Sequence, residues 1–122
     1  MSRIRSKNTK IEKVMAKELR KTRFKFRKHY KIIGSPDFAF PKKKVAVFVD
    51  GSFWHGYKWL VDGRRPKQGY WREKIARNIE RDSLVNASLR TQGWAVLRFW
   101  EHDVVRSPKA CAFKVAKKLR VR

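Results

Sequence analysis

The run Val45-Ala46-Val47-Phe48-Val49-Asp50 constrains the fold of this chain most. It is apolar and rich in β-branched residues, and it is bounded by Pro41 and three lysines before it and by Gly51 after it. Branched side chains favour the pleated surface, and a run this short between turn signals reads as a buried strand. Two weaker strands precede it. Over Arg23–Tyr30, Phe24, Phe26 and, less regularly, Tyr30 alternate with lysine and arginine. Gly34-Ser35-Pro36 is a turn signal, and Asp37-Phe38-Ala39-Phe40 follows as a short strand. Three short strands in succession predict a local antiparallel meander.

Helical spacing flanks this meander. Ile11, Val14, Met15 and Leu19 predict a helix from Lys10 to Thr22, with Thr9 as its N-cap. Trp71, Ile75, Ile79, Val85 and Leu89 predict a second helix over Tyr70–Thr91, stopped by Gly93. A strand over Trp94–Trp100 and a helix over Pro108–Leu119 complete the order helix, three strands, helix, strand, helix. The expectation is one α/β layer domain over residues 1–122, with residues 1–8 as a basic arm. The stretch from Gly51 to Gly69 has no period and carries Phe53, Trp54, His55, Tyr57 and Trp59 among basic residues and glycines. Aperiodic stretches of this length usually serve a function or are disordered.

Charge narrows the partner. Lysine and arginine number 33 against 10 acidic residues, a formal net charge of +23, so the compact state repels itself unless a polyanion neutralises it. Nucleic acid is the commonest such partner; a ribosomal-type RNA-associated protein or a basic membrane-surface protein is the competing reading. A hydrophobic content of 42% is enough to build a core, which argues against a wholly disordered chain. The longest apolar runs, near Val45–Val49 and Trp94–Leu97, fall well short of the roughly 20 residues of a membrane helix. No apolar signal segment follows the charged N-terminus, so a cytoplasmic, nucleoid-associated location is expected. The single cysteine, Cys111, excludes an internal disulfide and a multi-cysteine zinc site, and fits a reducing compartment.

The chemistry-bearing residues sit around the meander. Asp37 opens one strand, Asp50 ends the next, and His55 lies five residues further on. Two strands meeting at a turn could bring both carboxylates into one site of hard oxygen ligands suited to Mg²⁺, with His55 as general base for a water. The competing reading is plain: Asp after Pro and Asp before Gly are ordinary turn residues, and a lone His among aromatics packs. Phe53 and Trp54 among basic residues suit stacking on bases or wedging between them, or else a small apolar cluster under the loop.

A family resemblance weighs on these alternatives. Arg5-Ser6-Lys7-Asn8, Pro36-Asp37, the block Phe48 to His55, Tyr70 to Ile75, Asn78 to Asp82, and Gly93 to Leu97 through Trp100-Glu101 resemble the Vsr mismatch endonucleases in order and spacing, over residues 3–103. The resemblance implies a restriction-endonuclease-like core, with a mixed sheet flanked by helices, and Mg²⁺-dependent nicking of one strand of double-stranded DNA beside a T:G mispair, by a monomer. By position it implies that Asp37 is a metal ligand, that Val49 offers a backbone carbonyl to the metal and that His55 is the general base. Glu12 and Asp82 correspond to supporting acidic residues, and Phe53, Trp54 and Trp71 to aromatics that wedge into DNA. The arm bearing Arg3, Arg5 and Lys7 corresponds to a segment that clasps the duplex.

The chain departs from the pattern at two places. The best-known members hold a structural zinc through Cys and His, where this chain has Ser52, Tyr57, Trp59 and His102, so no structural zinc is expected. Asp50 replaces a histidine, which would add a second carboxylate near the metal. Two alternatives follow from the same residues: a nuclease without mismatch preference, and a DNA-binding module of the same fold without catalysis.

Overall fold

The computed structural model describes residues 9–51 and 69–122. Labelled in chain order, the described elements are α1 (Thr9–Arg20), β1 (Arg27–Lys28), β2 (Phe38–Phe40), β3 (Val45–Asp50), α2 (Gly69–Thr91), β4 (Ala95–Trp100), α3 (Glu101–Arg106) and α4 (Pro108–Arg120). The sheet order is β1-β2-β3-β4. β1, β2 and β3 are antiparallel neighbours, and β4 returns parallel to β3 after α2. The architecture is α/β with a four-stranded mixed sheet flanked by helices, as a restriction-endonuclease-like core requires.

The pleat divides the core into two layers. Phe38 and Phe40 of β2 and Val45 and Val47 of β3 face α1 and α4, where they bury Met15, Leu19, Val115 and Leu119. The alternate residues Ala39, Ala46 and Phe48 face α2 and pack with Val85, Leu89 and Trp94. Ala39 stands opposite Ala46 in the β2–β3 register, so this face is flat near its middle. Gly34 makes the close approach there: its φ is +82°, and a Cβ at that position would lie 2.5 Å from Val85 Cγ1.

Several expected boundaries shift. The strand expected over Arg23–Tyr30 contracts to Arg27–Lys28, because Arg23 and His29 both take left-handed backbone conformations, with φ of 68° and 50°. Phe24 and Phe26 still pack against the α1-side core, Phe26 edge-on to Phe38 at 5.6 Å. In α1 the buried stripe is Ile11, Glu12, Met15, Ala16 and Leu19, and Val14 is exposed. In α2, Ile75, Val85 and Leu89 are buried while Trp71 lies outside the stripe, 39% exposed. The short α3 was not expected from the sequence; it follows β4 directly and buries Val104. Gly93, at φ +89°, ends α2 as expected. Among the described residues no helix is long and apolar enough to cross a membrane.

Candidate active site

Three strand ends and the first helix converge on one group of side chains. Glu12 lies one turn into α1, on the face that packs against the sheet, and only 9% of it is exposed. Asp37 directly precedes β2, and its Oδ2 accepts a 2.7 Å hydrogen bond from the Val49 N–H of β3. His29 directly follows β1, and its N–H donates to the Asp37 carbonyl at 3.1 Å, continuing the β1–β2 ladder by one step. Its Nε2 lies 3.2 Å from Glu12 Oε1. Glu12, His29 and Asp37 thereby each present a ligand atom within 4.8 Å of the others. Two carboxylates and an imidazole at that spacing fit a divalent cation by donor chemistry, with room left for water and phosphate oxygens.

The other acidic candidates lie on the opposite side of the sheet. The alternation that points Val45 and Val47 toward α1 points Phe48 and Asp50 toward α2. There Arg98 Nη1 reaches both oxygens of Asp50 at 3.1 Å and stands 3.7 Å from Asp82 Oδ1. Arg98 Nε donates to Asn86 Oδ1 at 2.8 Å, and the guanidinium lies 4.0 Å from the Phe48 ring centre. Asp50 is therefore held in an ion-pair network beside a cavity of about 320 Å³, while Glu12, His29 and Asp37 form the compact group. The sequence left open a shared Asp37–Asp50 site; the structure groups Asp37 with Glu12 and His29 and pairs Asp50 with Arg98. His29 was missed, and its signal was the register: with Lys28 opposite Phe38, residue 29 falls beside residue 37.

A basic groove of about 810 Å³ runs beside β1. Arg20, Arg23, Lys25, Arg27, Lys28 and Lys42 line it together with Phe24, Phe26 and Tyr30, and none of the described residues lining it is acidic. Such a surface suits a phosphate backbone. Trp71, near the start of α2, is partly exposed. Arg3, Arg5, Lys7, Phe53, Trp54 and His55 lie outside the described residues.

The chain's residues 1–61 match the family model described as DNA mismatch endonuclease Vsr. The type II nicking enzyme V.NmeDIP of Neisseria meningitidis serogroup C is 47% identical, over 95% of this chain and 80% of that protein. This chain belongs to the Vsr family. The type II nicking enzyme V.HpaIIP of Haemophilus parainfluenzae is 36% identical, over 93% of this chain and 82% of its own length. The DNA mismatch endonuclease Vsr of Escherichia coli strain K12 is 34% identical, over 83% of this chain and 66% of its own. The chain is accordingly a DNA endonuclease.

Proposed function

We propose that this Vsr protein nicks one strand of double-stranded DNA next to a T:G mispair, with Mg²⁺ held at Glu12 and Asp37. The observation that carries the reading is the Asp37 carboxylate, oriented by the Val49 N–H and grouped with Glu12 and His29. The names of relatives support it: several are called type II nicking enzymes, and one a DNA mismatch endonuclease.

Asp37 and Glu12 would hold the cation, with Val49 adding its backbone carbonyl. A divalent cation bound there supplies Lewis-acid polarisation of the scissile phosphate and a more acidic water. His55 takes the proton of the attacking water in this reading, and Phe53, Trp54 and Trp71 wedge the duplex open next to the mispair. Arg3, Arg5 and Lys7 clasp phosphates from the N-terminal side, while the β1 groove carries the flanking backbone. Asp50 and Asp82 act at one remove, through Arg98: they fix the end of β3, and with it Val49 and Asp37.

The test is nicking of an end-labelled duplex with one T:G pair, beside its C:G control, in Mg²⁺ and in EDTA. Mg²⁺-dependent nicking of the T:G duplex alone is expected. Equal cleavage of both duplexes would keep the endonuclease and remove the mismatch preference. Cleavage that persists in EDTA would remove the metal.

A further inference from the structure

We propose that His29 is a third protein donor to the metal site and that it tilts the site from Mg²⁺ toward Mn²⁺ and Co²⁺. This rests on the reading of Glu12 and Asp37 as metal ligands and names a residue which that reading leaves without a role.

The first observation is placement. His29 Nε2 stands 3.2 Å from Glu12 Oε1, and His29, Glu12 and Asp37 ligand atoms fall within one 4.8 Å group. The second is how the backbone fixes that placement. The His29 N–H is tied to the Asp37 carbonyl, and the residue adopts φ 50°, a conformation that L side chains take at a cost of about 1 kcal/mol or more. A strained backbone conformation persists where the surroundings over-determine it, and functional sites collect such residues. In this conformation the imidazole lies beside Glu12. The third is exposure: the His29 side chain is 54% exposed and that of Glu12 12%. Glu12 forms the floor of the site and His29 its solvent-side wall, where a cation arriving from water meets the imidazole.

The selectivity follows from donor type. Mg²⁺ is hard, holds its waters and takes carboxylate oxygens. Imidazole nitrogen adds little for Mg²⁺ but strengthens binding progressively from Mn²⁺ to Co²⁺ along the divalent series. A site of two carboxylates and one imidazole therefore binds Mn²⁺ and Co²⁺ more tightly than an all-oxygen site would, with little change for Mg²⁺.

The experiment measures binding of the metals alone to the full chain, by isothermal titration, with wild type, His29→Ala, His29→Gln and Asp37→Asn. His29→Ala should weaken Mn²⁺ and Co²⁺ on the order of tenfold or more, the loss typical of a disturbed metal environment, and change Mg²⁺ by less than about threefold by the donor argument. His29→Gln, which offers an oxygen in place of the nitrogen, should show the selectivity of an all-oxygen site, with the gain for Mn²⁺ and Co²⁺ lost. Pulsed EPR of the Mn²⁺ complex should show nitrogen-14 coupling that His29→Ala abolishes and His55→Ala retains. Thermal melts of each variant separate loss of a donor from loss of the fold. Equal weakening of all three ions, or nitrogen coupling that survives His29→Ala, overturns the proposal while leaving Asp37 as a ligand. Unchanged binding in Asp37→Asn would instead remove the metal site itself, and the proposal with it.

Discussion

Arg98 joins three elements, and replacing it with methionine should be among the most destabilising single changes in the protein that leave the apolar core filled. Methionine keeps most of the aliphatic stem and removes the guanidinium, which is the part that lies over Phe48. The loss comprises the Nη1 contact shared by the two Asp50 oxygens at 3.1 Å, the Nε bond to Asn86 at 2.8 Å and the cation–π contact with Phe48 at 4.0 Å. Hydrogen bonds to charged groups contribute about 1.5–3 kcal/mol each, and breaking a buried ion pair about 3–5 kcal/mol. Arg98 is 19% and Asp50 10% exposed in their side chains, so water recovers part of the loss, and about 3 kcal/mol is the expected net. For a domain of this size that corresponds to a fall in Tm of roughly 10–15 °C. Urea unfolding of wild type, Arg98→Met, Asp50→Asn and the double variant gives the coupling directly. A coupling of about 1–3 kcal/mol between Arg98 and Asp50 is expected for contacting residues. An Arg98→Met loss below about 1 kcal/mol, or strict additivity in the cycle, would refute the view that this pair anchors the end of β3.

Three further outcomes follow from the same structure. Gly34→Ala should lose about 2–3 kcal/mol in denaturant unfolding, from overpacking against Val85 and a positive φ together, and a neutral result would contradict the close approach of this turn to α2. Arg23→Ala combined with Arg27→Ala should lower the slope of log K against log salt for duplex DNA by about 2, read by fluorescence anisotropy, if both meet phosphates; an unchanged slope would remove the groove from the DNA footprint. Burial first, and the Asp103 carboxylate second, push the Cys111 thiol above its ordinary value of 9.0. Its contribution to stability is therefore complete below about pH 9 and lost as pH rises through the folded value, and a thiol reagent at pH 8 should label it only after unfolding.

How much of this was legible in the sequence depended on whether a signal was periodic or relational. Val45–Asp50 and the long helix of Gly69–Thr91 were readable because branched residues and helical spacing are local properties. The order of elements followed, and with it the mixed sheet. Arg23–Tyr30 was misjudged in extent because alternation reports which side chains are buried, and two left-handed residues end the pairing without disturbing that burial. Glu12 entered through the family resemblance alone, although its position within the stripe of Ile11, Met15 and Leu19 marked it as a buried carboxylate. His29 was invisible as a lone histidine in a basic run and became meaningful only once β1 was registered against β2. Asp50 carries the converse lesson: it neighbours Val49 in sequence, yet the pleat assigns the two residues to opposite layers.

The central claim is that Asp37 and Glu12 hold the metal of a DNA-nicking enzyme. The most direct measurement is conversion of supercoiled plasmid carrying a T:G site to the nicked circle, for wild type and Asp37→Asn, with DNA affinity measured in parallel. The account predicts nicking by wild type in Mg²⁺ or Mn²⁺, a loss of at least a hundredfold in Asp37→Asn, on the order expected for removing an electrostatic catalytic group, and unchanged DNA affinity. Undiminished nicking by Asp37→Asn would contradict it.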